Sequence, residues 1–199
     1  MTLVEQIPAQ TFRERSIPVL ETERLVLRAP RLEDAKAVAT LANDRRIAEN
    51  TARIPHPYGL ADAESFLAAV NRDDGEIAFL ITREGSVMGA CGIAPQERQA
   101  PELGIWLGVP FWGQGFATEA LRAVIDHAFE DLGYEALQAG ARVTNPASRR
   151  VLEKCGFQWT GVGLYRIRAL ASSAPIDRFR LERSIWSSLK SWGAAKRVA

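Results

Sequence analysis

A turn with two glycines, between a predicted strand and a predicted helix, constrains the fold of this 199-residue chain most strongly. Residues 103–107 form a strand-like apolar run, and apolar residues recur with helical spacing from Ala117 to Leu132. Gly113 and Gly115 lie at the mouth of that helix, where the first backbone N–H groups lack intrahelical partners and carry partial positive charge. Small residues there let an anion, most often a phosphate, approach those N–H groups. The turn therefore predicts a phosphate site.

Two common phosphate-binding motifs do not fit this turn. A P-loop requires a lysine and a hydroxyl residue directly after its last glycine, and neither is present. A dinucleotide-binding turn requires a third glycine, and Thr118 stands at that position. A tight strand–helix connection without any ligand remains open on this segment alone.

A second strand–helix unit follows about 30 residues later. Residues 136–143 are a candidate strand, and a short helix with clear ends comes after them. Asn145 suits the N-cap, Pro146 suits the first helical position, and Gly156 suits the left-handed residue that ends the helix. The chain therefore repeats the geometry of a strand that leads into a helix mouth.

Together these segments resemble the GNAT superfamily of N-acetyltransferases, and most closely its branch of ribosomal-protein N-terminal acetyltransferases. The acetyl-CoA turn of that superfamily, (Gln/Arg)-x-x-Gly-x-(Gly/Ala), falls on residues 112–117, with Trp112 at the first position. The later pattern of the branch falls on Asn145, Ser148, Lys154, Gly156 and Phe157. A third match is the segment 21–28, which is followed by Glu33 and Asp34 at a helix start. The resemblance covers roughly residues 20 to 187.

The resemblance implies a single GNAT-like domain of mixed α/β (α+β) class. We expect a twisted, mixed, mostly antiparallel sheet of six to seven strands, splayed between the fourth and fifth strands and flanked by about four helices. The domain would span residues 20–187, after an N-terminal extension at 1–19 and before a C-terminal tail at 188–199.

Local patterns along the chain predict the element order. In the first half of the chain they predict a strand at 23–29, a helix from Leu32 to about Ala42, an irregular loop at 43–60, a helix from Ala61 to about Val70, and a hairpin of 76–82 and 87–94 that turns at 84–86. In the second half they predict a strand at 102–109, a helix at 117–132, the strand at 136–143, the short helix, and strands near 157–168 and 176–186.

The resemblance also implies acetyl-CoA as cosubstrate and suggests which residues bind it. The backbone N–H groups of Gln114, Gly115, Phe116, Ala117 and Thr118 would hold the diphosphate. Backbone groups of Leu107 and Val109, on the splayed strand, would pair with the pantetheine arm, and the side chain of Asn145 would contact a pantetheine amide. Amides near residues 106 and 107 would polarise the acetyl carbonyl, a role that is worth about 3–4 kcal/mol of activation barrier.

Proton transfer has fewer candidates. Ser148 matches the residue that protonates the leaving thiolate in the ribosomal branch, although serine is also common in a first helical turn. The general base of those relatives would fall near Thr160, where there is no carboxylate. Glu102, at the start of the splayed strand, is our candidate base, acting through a water, with a solvated strand-end glutamate as the alternative. His56 in its loop and His127 on the predicted polar face of the long helix are not expected to act chemically.

The expected reaction is direct attack of a primary amine on acetyl-CoA in a ternary complex. The acceptor stays open between a protein N-terminus and a small-molecule amine such as an amino acid, a polyamine or an antibiotic. The missing carboxylate near residue 160 favours one alternative, a non-catalytic acyl-CoA-binding sensor. A partner-binding scaffold without a ligand is a second alternative. A homodimer is compatible with the sequence, but no residue predicts it.

Composition narrows the partners. The 25 basic and 24 acidic residues give a net charge of +1, which argues against a nucleic-acid partner. Cys91 and Cys155 lie far apart without a metal-binding pattern, so we expect no metal and two buried thiols. No apolar run reaches the roughly 18 residues of a membrane span, and no secretory signal is evident. We therefore expect a cytoplasmic protein that does not bind a membrane.

Overall fold

The computed structural model describes residues 17–70 and 75–195, with side chains as far as Trp192. The strands are β1 (Leu20–Glu21), β2 (Val26–Arg28), β3 (Ile77–Arg83), β4 (Ser86–Ala94), β5 (Glu102–Leu107), β6 (Ala136–Arg142), β7 (Gln158–Ile167) and β8 (Ser172–Glu182). The helices are α1 (Ala35–Ala42), α2 (Arg45–Ala48), α3 (Leu60–Ala69), α4 (Phe116–Glu130), α5 (Pro146–Lys154) and α6 (Arg183–Ala195).

The strands form one sheet in the order β1-β2-β3-β4-β5-β6-β8-β7. Every pair of neighbours is antiparallel except β5 and β6, which are parallel. The mixed, mostly antiparallel class predicted from the sequence is therefore confirmed. The strand count is eight rather than six to seven, because β1 is a two-residue strand that is too short to show an alternating pattern.

Helices cover both faces of the sheet because the strand side chains alternate between them. On one face, α4 and α5 pack on a large core that includes Phe79, Leu103, Leu121 and Phe179. On the other face, α1 and α3 enclose a smaller cluster that includes Val38, Tyr58, Leu67 and Leu80. The two faces of β5 thus belong to different clusters, with Leu107 in the first and Trp106 against the second.

The β3–β4 hairpin turns where the sequence predicts it. Arg83 pairs with Ser86, and the two residues between them, Glu84 and Gly85, have φ angles of 51° and 79°. A two-residue turn with positive φ at both positions has the twist that matches its flanking strands. Glycine accommodates this conformation readily at the second position.

Two predicted elements and one predicted domain boundary differ in the structure. The predicted loop at 43–60 contains α2, whose first turn is capped by the Asp44 side chain accepting from Arg46 N at 2.9 Å. The last strand spans Ser172–Glu182 rather than 176–186, and α6 begins directly after it. The predicted domain boundary at residue 187 thus falls inside α6, while residues 1–16 of the predicted extension lie outside the described chain.

The parallel strands β5 and β6 separate almost at once. Their only register pair is Glu102 with Gln138, supported by a hydrogen bond from Gln138 N to Pro101 O of 2.9 Å. Beyond this pair the strands diverge and leave a cleft in the sheet. This is the predicted splay, because the predicted fourth and fifth strands become β5 and β6 once β1 is counted. The helices α4 and α5 follow the two strands that form its walls.

Candidate active site

The two walls of the cleft turn different backbone groups toward it. Gly108 N donates to Met88 O at 2.8 Å, and in an antiparallel pair such bonds involve alternate residues. The N–H and C=O groups of Ile105 and Leu107 therefore face the cleft. The backbone N–H and C=O groups of Trp106 face β4 instead, so the expectation that the Trp106 amide polarises the acetyl carbonyl is wrong. The Leu107 amide remains the candidate for that role. On the β6 wall, the bond from Val143 N to Pro175 O leaves the backbone of Gly140 facing the cleft in the same way.

At the open end of β5, the two residues predicted to pair with the pantetheine arm, Leu107 and Val109, differ in which backbone groups are available. The carbonyl of Leu107 accepts a hydrogen bond of 2.7 Å from Nε1 of Trp112, which leaves the Leu107 N–H as the free group. Val109 does not continue the strand, since it opens a 3-10 turn and its carbonyl accepts from Trp112 N at 3.2 Å. The Val109 carbonyl is therefore not available to pair with a pantetheine arm, because Pro110 and the turn end β5 at Leu107.

The mouth of α4 presents several unpaired amides. Gly115 is the N-cap with φ 84°, Phe116 begins the helix, and the first turn closes with Glu119 N donating to Gly115 O at 3.1 Å. The N–H groups from Gly115 to Thr118 therefore have no intrahelical acceptor. Gly113 also has positive φ, at 75°. Both glycines are needed for the backbone conformation that turns these amides outward.

The start of α5 has the capping arrangement that the sequence predicts. Oδ1 of Asn145 accepts from Ser148 N at 3.1 Å, Pro146 occupies the first turn, and Gly156 has φ 91°. The cap uses only the Oδ1 atom of Asn145 and only the backbone of Ser148. Within the described chain, the Ser148 hydroxyl has no hydrogen-bond partner, so it is free to act on a ligand.

A family comparison agrees with this geometry. The family model described as "Acetyltransferase (GNAT) domain" matches residues 24–158, which contain both walls of the cleft and both helix mouths. The chain belongs to the GNAT acetyltransferase family. Membership confirms the predicted enzyme class, an acetyl-CoA-dependent acyltransferase.

Individual relatives are consistent with the family. The chain is 32% identical over 160 residues to the "Uncharacterized N-acetyltransferase YoaA" of Bacillus subtilis (strain 168), covering 73% of this chain and 85% of that protein. It is 33% identical over 82 residues to the "Ribosomal-protein-serine acetyltransferase" of Escherichia coli (strain K12), covering 40% and 45%. This match covers less than half of either chain, so it is a partial similarity to one member of the ribosomal branch. The fold matches the Microcin C7 self-immunity acetyltransferase MccE, solved with acetyl-CoA and AMP, at a TM-score of 0.71 and 21% identity, covering 81% and 93%.

Glu119 joins the mouth of α4 to the connection between β1 and β2. Its carboxylate accepts from Thr22 Oγ1 at 2.7 Å, from Arg24 N at 2.8 Å and from Arg24 Nε at 2.7 Å. Arg24 also donates to Gln114 O at 3.2 Å, and its guanidinium lies 4.5 Å from the ring centroid of Phe116. Burial raises the pKa of Glu119, but these hydrogen bonds outweigh it and the pKa is lowered.

Sequence reasoning missed this link. Thr22 and Arg24 lie in the matched segment 21–28, and Glu119 lies two positions after the matched turn at 112–117. Arg24 and Glu119 are 95 positions apart along the chain. No periodic pattern reports a contact at that separation, since it depends on how β1 and β2 lie against α4.

Glu102 lies at the foot of the cleft, where β5 and β6 separate. A Cβ placed on Gly140 of the opposite wall would lie 4.0 Å from Oε1 of Glu102. Its other oxygen accepts from Nε2 of Gln96 at 3.1 Å, and Arg53 nearby is paired with Glu76 at 2.8 Å. Burial raises the pKa of Glu102, and the charge of Arg53 opposes that shift. Glu102 is thus half-buried in the cleft rather than a solvated strand end.

The two histidines lie in different surroundings. His127 is 6% exposed, against the expectation that it lies on the polar face of the long helix. Its Nδ1 is 2.7 Å from Asp131 Oδ2, and its ring stands edge-on to Phe79 with centroids 6.0 Å apart. His127 faces the core because the buried face of α4 is wider than the spacing of its apolar residues predicts. His56 is exposed in its loop.

No carboxylate of the described chain takes the place of the base expected near Thr160. The Thr160 hydroxyl donates to Arg178 O at 3.1 Å. The buried Asp177 on the neighbouring strand accepts from Nε1 of Trp159 at 2.9 Å and lies 3.6 Å from Arg149. These contacts satisfy Asp177 as a structural group. Glu102 remains the candidate base.

Residues 17–70 and 75–195 hold no group of three or more His, Cys, Asp or Glu side chains placed to bind a metal ion. Among their helices, none is long and apolar enough to cross a membrane.

Proposed function

We propose that this GNAT enzyme acetylates a primary amine by direct attack on acetyl-CoA held in the cleft between β5 and β6. One observation carries the proposal. The pairing of the two strands stops after Glu102 and Gln138, so the Leu107 amide and the mouth of α4 border the same opening. A strand edge with free backbone groups can pair with an extended amide-bearing arm, and a helix mouth can hold its diphosphate.

The cosubstrate would be bound mainly by backbone groups. The amides of Gln114, Gly115, Phe116, Ala117 and Thr118 would hold the diphosphate, and Leu107 N–H would bind the acetyl carbonyl. Such a donor stabilises negative charge that develops on the carbonyl oxygen. The Nδ2 group of Asn145, which has no hydrogen-bond partner among the described residues, would bind a pantetheine carbonyl, since Oδ1 is committed to the cap.

Ser148 and Glu102 would manage the protons. The unpartnered Ser148 hydroxyl would protonate the departing thiolate, while Glu102 would take a proton from the incoming ammonium through a water. Burial raises the pKa of Glu102, which makes it a stronger base than an exposed glutamate once it is ionised. An N-terminal amine, with a pKa of roughly 8, is neutral more often at neutral pH than a lysine with a pKa near roughly 10.4. It therefore depends less on a general base.

Direct transfer is favoured over an acyl-enzyme because neither cysteine can serve as a nucleophile. Cys91 and Cys155 are both buried and free. Burial raises the pKa of the Cys155 thiol to about 11 and raises that of Cys91 well above its usual range. At neutral pH both therefore stay as unreactive thiols.

The acceptor would approach from the α1–α3 side of the sheet. There the loop before α3 touches the β7–β8 connection through a hydrogen bond from Arg168 N to Ala52 O of 3.1 Å. Loops of this kind commonly set specificity. The relative named as a ribosomal-protein-serine acetyltransferase makes a protein N-terminus the first acceptor to test, with small-molecule amines second.

The test is an acetyl-transfer assay with the full chain, acetyl-CoA and a panel of amines. The panel would contain peptides with free and blocked N-termini, amino acids, polyamines and aminoglycosides. We expect release of free CoA thiol together with an acetylated product for at least one class. Saturable binding of acetyl-CoA without any transfer would favour the sensor instead. If acetyl-CoA neither binds nor raises the melting temperature, the proposal is wrong.

A further inference from the structure

The side of the cleft from which the acceptor would approach has an open floor. Leu103 packs in the large core, so alternation along β5 turns Gly104 toward the α1–α3 side. Gly104 and Gly140 are both exposed, although their strands lie in the interior of the sheet. A Cβ added at Gly104 would meet no atom within 4 Å. The floor therefore leaves room for a substrate beside Glu102.

One arginine of the β6 wall lies on the same side of the sheet. Ala141 packs in the large core, so alternation turns Arg142 toward the α1–α3 side, two residues beyond Gly140. Side chains two residues apart on a strand are separated by about 7 Å. The Nη1 group of Arg142 donates to Glu49 O at 2.8 Å, just after α2. This bond holds the guanidinium on the side from which the acceptor would approach.

The bond to Glu49 leaves one edge of the Arg142 guanidinium without a partner. Nε and Nη2 share that edge, and neither donates to an acceptor within residues 17–70 and 75–195. Nε is buried, and a buried donor without an acceptor is uncommon in folded proteins. Two parallel donors on one edge of an arginine match the two oxygens of a carboxylate. The free edge therefore has the form of a carboxylate site.

Other charges on this side of the sheet do not occupy that edge. Arg53 is paired with Glu76 at 2.8 Å. Arg178 on β8 donates to a backbone carbonyl of β7 at 3.4 Å, away from the cleft. No carboxylate of the described chain, Glu102 included, forms an ion pair with Arg142. The groove thus holds a carboxylate at its foot and an unpaired guanidinium edge further along, which suits a ligand with both an amine and a carboxylate.

We propose that Arg142 binds a carboxylate of the acceptor, so that the enzyme selects primary amines that carry a carboxylate close to the amine. This inference rests on the proposed function, because it assumes that the acceptor places its amine in the cleft near Glu102. Two kinds of acceptor have this chemistry. A free amino acid supplies its α-carboxylate, and a peptide that begins with aspartate or glutamate supplies its first side chain. Polyamines and aminoglycosides lack it.

The experiment compares acceptors in pairs that differ in this carboxylate. Serine, alanine and methionine are each paired with their α-amides, and peptides that begin with aspartate or glutamate are paired with the same peptides beginning with asparagine or glutamine. The full chain with saturating acetyl-CoA gives kcat/KM for each acceptor. Each value is divided by the fraction of the acceptor that is neutral amine, because a nearby carboxylate favours the charged amine.

The carboxylate member should exceed its partner by about tenfold or more in at least one set of pairs. This is the lower end of the discrimination that hydrogen bonds to a charged group provide. The set in which the preference appears identifies whether the carboxylate comes from a free amino acid or from the first side chain of a peptide.

Variants assign the preference to Arg142. R142Q removes the charge and keeps a donor for Glu49 O, and it should bring the two members of a pair to nearly equal kcat/KM. R142K keeps the charge without the two-donor edge and should retain only part of the preference. The matched control is R166Q, which removes the same charge from an exposed position on the other face of β7 and should keep the full preference. Binding of acetyl-CoA in calorimetry shows that each variant is folded.

The outcomes separate this inference from the function on which it rests. If the wild type treats the members of every pair alike, acetylates only amines without a carboxylate, or keeps its preference in R142Q, the inference is wrong and the acetyltransferase proposal stands. If R142Q slows both members of a pair equally, Arg142 only positions the segment after α2, and the inference is again wrong. If no amine is acetylated, the acetyltransferase proposal fails and this inference fails with it.

Discussion

Replacing Glu119 with alanine should destabilise the protein far more than an average substitution on α4. The carboxylate has three partners: the Thr22 hydroxyl, the Arg24 amide and the Arg24 guanidinium. A hydrogen bond to a charged group contributes about 1.5–3 kcal/mol, whereas an exposed ion pair contributes about 0–1 kcal/mol. Since Glu119 is 16% exposed and Arg24 is 41% exposed, we count the Thr22 bond in full and the others on the exposed scale. With the two Arg24 contacts counted together as one exposed ion pair, the free energy of unfolding should fall by about 1.5–4 kcal/mol.

Thermal unfolding checks this magnitude. In a domain of this size each kcal/mol corresponds to about 2–4 °C, so the melting temperature of E119A should fall by about 3–16 °C. The matched control is E130A on the same helix, which breaks an exposed ion pair with Lys190 and should cost at most about 1 kcal/mol. Acetyl-CoA affinity should also fall in E119A, because Arg24 then loses the anchor from which it holds Gln114 O. Equal melting temperatures for E119A and E130A would refute the reasoning.

The pH dependence of the same variant has a defined sign. The pKa of Glu119 is lowered in the folded protein from its ordinary value of 4.5. Its contribution to stability is therefore present above that value and is lost as the pH falls through the folded pKa. The gap in unfolding free energy between the wild type and E119A should be constant near neutral pH and should narrow below about 4.5. A gap that widens on acidification would contradict the assigned pKa shift.

Three further variants test the transfer site. E102Q should lower kcat/KM by about 100-fold or more and abolish the acidic limb of the pH–rate profile, with acetyl-CoA affinity unchanged; an unaltered profile would exclude Glu102 as the base. S148A should lower kcat by about tenfold or more without unfolding α5, because the cap uses the Ser148 N–H, and initial rates with circular dichroism measure both effects. W112F should weaken acetyl-CoA binding about fivefold, the value of one neutral hydrogen bond, because Leu107 O loses its donor; unchanged affinity in calorimetry would show that the Leu107 carbonyl needs no partner.

The local features of this fold follow from short segments, so the sequence predicts them. The cap of α5 by Asn145, its left-handed end at Gly156 and the turn at Glu84–Gly85 all depend on residues within a few positions of one another. The mouth of α4 is predictable from the sequence for the same reason, since two glycines and an amphipathic run specify it. The predicted elements differ from the observed ones where an element is too short to show a periodic hydrophobic pattern, as in β1 and α2. They also differ where a strand passes directly into a helix, as at Arg183.

The site depends on contacts that no local pattern reports. Which amides of β5 face the cleft is decided by its register with β4, and that register excludes Trp106. Glu102 faces Gly140 on the β6 wall, and the partners of Glu119 come from the β1–β2 connection, with Arg24 95 positions away along the chain. By itself the sequence determined the helix mouths, the turns and the family, because each of these depends on neighbouring residues. Only the tertiary structure decided which backbone and carboxylate groups share the cleft, because pairing and burial are properties of segments that meet in space.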